Sequence, residues 1–454
     1  MTDEKEILVI GAGLAGPLLS IFLARRDHHV TILERRPDMR KSEISAGRSI
    51  NLALSERGIH ALRQADVLEA VMAKAIPMKG RLMHAVDGTT TFHRYGQDDS
   101  EVIYSVSRAR LNRLLMDAAD ATGKVDILFD EACTAVDLEN GTVIHQNRST
   151  GESTVTAAEH VFAADGSGSI IREEMEKHHE AEDSLERLPH GYKELTIPAD
   201  GEGGFRLEPN ALHIWPRGEY MLIALPNSNG TFTCTLFFPM EGDPSFASLN
   251  TAKKVRHFFE EVFPDAVPYL DNLESEFFEN RTGPLGTVRC WPWHVADRFL
   301  LLGDAAHAVV PFFGQGMNAA FEDCTVLDSC LDDGGADWEE LFALFSQKRK
   351  PDTDAIAEMA LENYVEMRSD TAHPEFLLKK KIEFELERRF PDRFIPRYSM
   401  VAFHQIPYSE CMRRGRIQAE ILDELSAGIS STRDINWDNA ELLILNSLDS
   451  LEGL

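Results

Sequence analysis

The stretch ILVIGAGLAGPLLSIFLARRDHHVTILERR, residues 7–36, decides the fold. Its first four residues form an unbroken apolar run, the mark of a strand buried on both faces. Gly11, Gly13 and Gly16 follow in the spacing G-x-G-x-x-G, then an apolar segment to about Arg26, then a second β-type run, VTILE at 30–34. Strand, tight glycine turn, helix and strand make one βαβ unit. Each glycine has a physical task. Gly11 permits the turn, Gly13 clears the backbone for a pyrophosphate, and Gly16 lets the helix close on the strand. Glu34, at the end of the second strand, is placed to accept hydrogen bonds from a ribose 2′-OH. The pattern predicts an adenine dinucleotide; a glycine turn made only for packing is the alternative.

Composition narrows the class. The chain has 454 residues with 46 basic and 75 acidic side chains, a net charge of −29, which disfavours nucleic acid and anionic membranes as partners. Six cysteines are scattered without a CxxC pair, as expected of reduced thiols. No HExxH pair occurs either, and no metal is expected. The opening residues MTDEKEILVIG are acidic and lead straight into a strand, unlike a signal peptide. The closing INWDNAELLILNSLDSLEGL falls short of the roughly 18 apolar residues of a membrane span. A soluble cytoplasmic protein without a membrane anchor, monomer or homodimer, is the expectation.

Along the chain, residues 55–72 and 107–122 read as amphipathic helices, the second with Ser107 as N-cap. Short β-type runs fill 125–164. YMLIALP and TFTCTLFF, separated by NSNG, form a hairpin within a largely antiparallel sheet. FLLLGD at 299–304 resembles a buried parallel strand, and 315–331 a helix. Beyond about 353 the chain reads as helical to roughly 427, with breaks at Pro374, Pro391, Pro396 and Pro407, and ends in an acidic tail. The expected fold class is α/β, α+β overall: a Rossmann-like domain at 1–75, 101–185 and 285–352, a β-rich domain at 76–100 and 186–284, and a helical region at 353–454.

A second clue lies in GDAAHAVVPFFGQGMNAAFEDC, residues 303–324. It is rich in Gly and Ala, and carries neither a nucleophile nor a metal cage. Backbone stripped of side chains is backbone that something large lies against. Taken with AADGSGSIIR at 163–172 and the N-terminal glycines, the stretch resembles the motif set of the FAD-dependent aromatic hydroxylases. The strings GRSINLALSERG (47–58), IPMKGRLMH (76–84), YSVSRARLN (104–112), HGYKELTIP (190–198), LHIWPR (212–217), ENYVEMR (362–368) and FIPRYSMVAF (394–403) narrow the resemblance to the kynurenine 3-monooxygenase family.

That resemblance implies non-covalent FAD, NADPH as a transient co-substrate without its own Rossmann domain, and hydroxylation of L-kynurenine with O₂ through a flavin C4a-hydroperoxide. It places FAD on Gly11, Gly13, Leu14, Gly16, Glu34, Arg35, Arg36, Arg48, Ala53, Arg108, Asp304, Gly316, Met317 and Asn318. Asp304 would meet the ribityl chain, and the loop Gly314, Gln315, Gly316 would run beneath the isoalloxazine ring. The substrate carboxylate falls to Arg81, Tyr95, Asn363 and Tyr398, chemistry suited to a guanidinium fork and phenol donors. Phe237, Phe238, Pro311 and Phe312 are candidates for the ring pocket, with plain core as the alternative. His307 reads as packing rather than as a base. Another aromatic carboxylate as substrate, or a non-catalytic binding protein on the same scaffold, are the alternatives.

Overall fold

The computed structural model describes residues 6–41, 51–178, 182–333, 337–369 and 374–451. The chain divides into two compact units. One takes Met1–Ile76, Tyr104–Pro189 and Pro284–Ala357; the other takes Pro77–Ile103, His190–Gly283 and Glu358–Leu454.

In the first unit a six-stranded sheet runs in the spatial order 294–295, 299–301, 160–163, 6–10, 29–34, 125–129. All neighbours are parallel except the outermost pair, His294–Val295 against Phe299–Leu301. Parallel neighbours need crossovers, and helix Ala15–Arg25 supplies the one between Glu6–Ile10 and His29–Glu34. Ile7, Leu8 and Val9 in the central strand are wholly buried against Leu18, Phe22 and Leu23 of that helix's core face. Ser107 caps the helix Arg108–Ala121 as expected, its hydroxyl accepting from the Arg110 N–H at 3.5 Å. The single helix expected over 55–72 is two, Glu56–Gln64 and Leu68–Met72. Asp66 sits between them at φ +57°, which no continuous α-helix allows.

The second unit carries strands in the order 190–197, 232–239, 220–226, 212–217, 80–84, 90–94. Neighbours are antiparallel except Gly80–His84, which runs parallel beside Leu212–Arg217. Register sorts the side chains, because paired residues share a face and successive residues alternate. Trp215, Leu222, Leu236 and Phe238 share one face and pack with Phe258, Phe259 and Phe277 of helices Ala252–Val262 and Leu273–Glu279. Arg81, Ile214, Ile223, Thr235 and Phe237 belong to the other face.

The helices Pro374–Arg389, Arg397–Phe403, Tyr408–Ser426 and Trp437–Ser447 also belong to this unit. Pro391 and Pro396 fall between helices, and Pro407 directly precedes one. The closing segment, expected as the acidic end of a helical region, contains the helix Trp437–Ser447, with Ala440 and Ile444 buried beside Ile382, Phe394 and Ile421. Among the described residues no helix is long and apolar enough to cross a membrane.

Candidate functional site

The three glycines of the N-terminal turn do different things. Gly11 has φ +105°, and a Cβ there would stand 2.5 Å from the Ala164 carbonyl oxygen. A Cβ on Gly16 would stand 2.0 Å from the Gly11 carbonyl oxygen. Both glycines are required by the protein's own packing. Gly13 is not: a Cβ there would meet nothing within 4 Å. Its backbone faces open space, as a cradle for an approaching pyrophosphate must.

Glu34 is almost fully buried behind this turn. Its carboxylate accepts from the Ala12 N–H at 2.8 Å, the Arg36 N–H at 2.9 Å and Arg36 Nε at 2.8 Å. Burial pushes its carboxyl up, but the Arg36 side chain and the two backbone donors outweigh burial and hold it below the usual range. Arg35 is exposed, and Leu14 occupies the position before helix Ala15–Arg25. Asn112 Nδ2 donates to the Ala12 carbonyl at 3.1 Å, while its Oδ1 is buried without a hydrogen-bond partner among the described residues. Asp165 Oδ1 is likewise unpartnered, and burial raises that carboxyl. Open backbone and unused buried polar atoms around the turn fit a polar nucleotide.

The small-residue stretch forms the rest of this platform. Gly303 turns at φ +59°, where a Cβ would approach Ala320 Cβ to 3.2 Å. Asp304 is exposed although Gly303 and Ala305 on either side are buried. Pro311–Phe313 make one 3₁₀ turn, and Gly314 follows at φ +69°. Asn318 locks the loop: its Nδ2 donates to the carbonyls of Ala53 and Gly314, each at 2.9 Å, and its Oδ1 accepts from the Ser55 N–H at 3.0 Å. Gln315 is buried with its amide 3.3 Å from Ser55 Oγ. Gly316 and Met317 stand half-buried in the first turn of helix Gly316–Asp333. Arg108 is exposed at the start of its helix, and Arg48 lies outside the described residues.

Beneath the loop lies a charge network that sequence reading missed. Asp323 is completely buried; it accepts from the Gly303 N–H at 3.0 Å, contacts His307 Nε2 at 2.6 Å and accepts from Arg349 Nε at 2.8 Å. Arg349 also pairs with Glu322 at 2.7 Å, and Arg57 pairs with Glu322 in turn. Burial opposes ionisation of Asp323, but His307 and Arg349 prevail and its carboxyl lies below the ordinary value. This network fixes the Gly303 turn and with it the placement of Asp304. His307, expected only as a packing residue, is a hydrogen-bond partner of Asp323 there. The signal available in the sequence was the Glu-Asp pair at 322–323, which has no local partner to reveal it.

In the second unit Arg81 and the tyrosines do come together. The rings of Tyr95 and Tyr398 stack at 5.0 Å with 10° between planes. The Arg81 guanidinium stands 5.7 Å from the Tyr95 ring centre and 5.0 Å from that of Tyr398. Arg81 Nε is buried without a hydrogen-bond partner among the described residues. Burial works against its charge, but Tyr398, Tyr95 and Glu366 keep it above the ordinary value. Burial raises the Tyr95 hydroxyl against the opposing pull of Arg81, and burial with Tyr95 raises that of Tyr398 further, so both phenols keep their protons. Asn363 is buried on helix Trp338–Ser369, its amide 3.3 Å from Met367 Sδ. Glu366 is one turn further on the same side of that helix. Sequence reading did not single out Glu366 or Lys380. Lys380, bound to Glu383 at 2.8 Å, feels both Glu366 and Arg81. It stands in the run KKK at 379–381, which looks like a solvated helix face.

One expectation is corrected. Phe238 does not share a face with Arg81: it is fully buried in the aromatic core, 4.9 Å from Phe258 and 5.1 Å from Tyr220. Its neighbour Phe237 occupies the Arg81 face. Of the loop pair, Phe312 is buried and Pro311 exposed. Among the described residues no group of three or more His, Cys, Asp or Glu is arranged to hold a metal ion.

Comparison with known proteins agrees with this geometry. Residues 4–358 match the family described as FAD binding domain. The kynurenine 3-monooxygenase of Myxococcus xanthus is 50% identical over 98% of this chain and 96% of its own length. That of Stenotrophomonas maltophilia is 45% identical over 99% of this chain and 98% of its own. Among solved structures, a tetrameric form of 2-methyl-3-hydroxypyridine-5-carboxylic acid oxygenase has the same fold, with TM-score 0.67 and 21% identity over 83% of this chain and 96% of that one.

Proposed function

The chain belongs to the family of FAD-dependent kynurenine 3-monooxygenases, and from that premise we propose how its own residues share the hydroxylation of L-kynurenine. Bound FAD supplies the redox chemistry, taking reducing equivalents from NADPH and activating O₂. Gly13 leaves the pyrophosphate its place, and the start of helix Ala15–Arg25 offers it free N–H groups. Glu34 has its four lone-pair sites taken by Ala12 and Arg36, so a ribose hydroxyl would reach it by displacing the long 3.3 Å contact from Arg36 Nη2. Asp304, exposed at its turn, would hold the ribityl hydroxyls. The N-terminus of helix Gly316–Asp333, with Gly316, Met317 and Asn318, would offer a partial positive charge to the flavin ring. Arg35, Arg108 and Arg48 are assigned to the nucleotide's charged portion, Pro311 and Phe312 to the aromatic ring.

The observation that carries the substrate assignment is Arg81: a half-buried side chain whose Nε is buried and unused, framed by two stacked phenols that retain their protons. That arrangement takes a carboxylate, with Tyr95, Tyr398 and Asn363 completing its shell. The aniline nitrogen of kynurenine already enriches the ring carbon ortho to it. The chain therefore needs no strong base, and its work is positioning and exclusion of water. Incubation of the FAD-loaded protein with kynurenine, NADPH and O₂ tests this, with 3-hydroxykynurenine identified by mass and retention. NADPH consumption that yields only hydrogen peroxide would refute the substrate assignment.

A further inference from the structure

The strings GRLMH and LHIWPR hold more than Arg81. His84, His213, Trp215 and Arg217 stand in them, and they lie on the face of the sheet away from Arg81 or at its end. His84 Nδ1 is 3.0 Å from Asp265 Oδ2, and His84 Nε2 is 2.9 Å from His213 Nδ1. His213 Nε2 is 2.9 Å from the Glu208 carbonyl oxygen. Asp265 Oδ2 also accepts from Trp215 Nε1 at 2.7 Å, and Arg217 Nη2 faces Asp265 Oδ1 at 3.8 Å. Arg217 Nη1 donates to the His84 carbonyl at 2.9 Å, and the His84 ring stacks on Trp215 at 4.0 Å. Both imidazoles are buried.

Counting protons along this chain forces a conclusion. It runs from a carboxylate through two imidazoles to a carbonyl, so both ends only accept. Its hydrogen bonds number three, and two neutral imidazoles carry two protons. With only two, one contact becomes a pair of lone pairs facing each other at hydrogen-bond distance. A third proton belongs on the pair. Burial pushes His213 down to about 4, so it is neutral; its one N–H goes to Glu208 and its Nδ1 is a bare acceptor. The remaining two protons sit on His84. Asp265 completes the balance: burial raises its carboxyl, but His84 and Trp215 hold it below the ordinary value, ionised beside the imidazolium.

The position of this ion matters because strand Gly80–His84 carries Arg81. Its inner neighbour is Leu212–Arg217, joined over a short parallel register, and its outer neighbour is the exposed edge strand Thr90–Arg94. The His84–His213 bond is a side-chain cross-link between the two inner strands. We propose that His84 is a doubly protonated positioning residue, held between Asp265 and His213, and that it fixes the strand from which Arg81 grips the substrate carboxylate. The part concerning Arg81 rests on the function proposed above; the protonation of His84 does not. The groups facing His84 are Asp265, His213, Arg217 and Trp215, one of them an anion and one a further cation. Without the third proton the cross-link has no donor and the strand loses its clamp.

The test uses the FAD-loaded full chain with ¹⁵N-labelled histidine. Imidazole ¹⁵N shifts, assigned with the variant His84→Gln, are expected to show both nitrogens of His84 protonated at neutral pH and Nδ1 of His213 bare. In His84→Gln the kynurenine KM is expected to rise roughly threefold to tenfold, the effect of loosening one charge-assisted contact, with kcat unchanged. Asp265→Asn is expected to leave His84 with a single proton and to raise KM likewise. A singly protonated His84 at neutral pH overturns the assignment of the ion. A kynurenine KM unchanged in His84→Gln overturns its positioning role. If Arg81→Ala leaves KM unchanged, the carboxylate assignment falls instead, and the ¹⁵N result stands apart from it.

Discussion

The N-terminal turn offers a way to separate cofactor binding from folding by one residue at a time. A Cβ on Gly16 would sit 2.0 Å from the Gly11 carbonyl oxygen, so helix and strand must part by about 1 Å, an overpacking cost of roughly 1–3 kcal/mol. Gly11→Ala meets the Ala164 carbonyl at 2.5 Å and also forces a side chain onto φ +105°, adding about 1–2 kcal/mol. At Gly13 a Cβ meets nothing within 4 Å, and the effect of Gly13→Val on the cofactor-free chain is expected to stay within about 1 kcal/mol. The same side chain occupies the pyrophosphate's approach. Loss of one or two charge-assisted backbone contacts costs about 2–4 kcal/mol, or roughly 30- to 1,000-fold in the FAD Kd. Thermal unfolding of the three apo-proteins and flavin titration of each measure the two quantities independently. The expected order is Gly13→Val near wild type in stability but weak in FAD, and Gly16→Ala unstable in both forms. A Gly13→Val protein that binds FAD with wild-type affinity refutes the placement of the pyrophosphate. One that loses stability without FAD refutes the claim that the space beside Gly13 is open.

Arg81→Ala should keep its FAD and raise the kynurenine KM by about 1.5–3 kcal/mol, read by steady-state kinetics beside the flavin absorbance. Tyr398→Phe should do less, because it removes one neutral hydrogen bond and keeps the stack on Tyr95. Phe238→Ala should cost about 3–5 kcal/mol in urea unfolding with little change in KM, since the ring belongs to the core on the far face of the sheet. Asp323 titrates below its unfolded value of about 3.9, so its contribution is complete above that pH and is lost as pH falls through the folded value. Asp323→Asn should therefore destabilise by about 3–5 kcal/mol at neutral pH and shrink the acid limb of the stability curve, measured by denaturant unfolding between neutral pH and pH about 3.

What could be read in the sequence follows from how locally each feature is specified. The dinucleotide turn was legible because backbone geometry within six residues demands glycine at set places, and Glu34 falls at the end of the next strand by arithmetic. The Asp323 network was not, because its partners Gly303, His307 and Arg349 meet it only after helix Gly316–Asp333 has packed. Asp66 broke the helix expected over 55–72 by adopting φ +57°, a choice that leaves no mark in the apolar periodicity. Arg81, Tyr95, Asn363 and Tyr398 were found only through family strings, since nothing local joins residues so far apart.

The one misplaced ring could have been placed from the sequence. In TFTCTLFF, Thr231, Thr233 and Thr235 alternate with Phe232, Cys234 and Leu236, which puts Phe238 in the apolar row and Phe237 in the other. Pairing settles it: Phe237 opposes Met221 on the Arg81 face, while Phe238 continues the row of Leu236 beneath the helices. The same period of two splits GRLMH into Arg81 and Met83 on one face and Leu82 and His84 on the other. A matched string in a sheet thus joins two jobs that share no surface. On the function proposed for this chain, one half of GRLMH presents a cation to the substrate's carboxylate, while the other joins the strand to Asp265 and His213. A substitution at Arg81 and one at His84 should consequently differ in kind. The first removes the grip outright at every pH, whereas the second leaves the grip present and alters the strand that holds it.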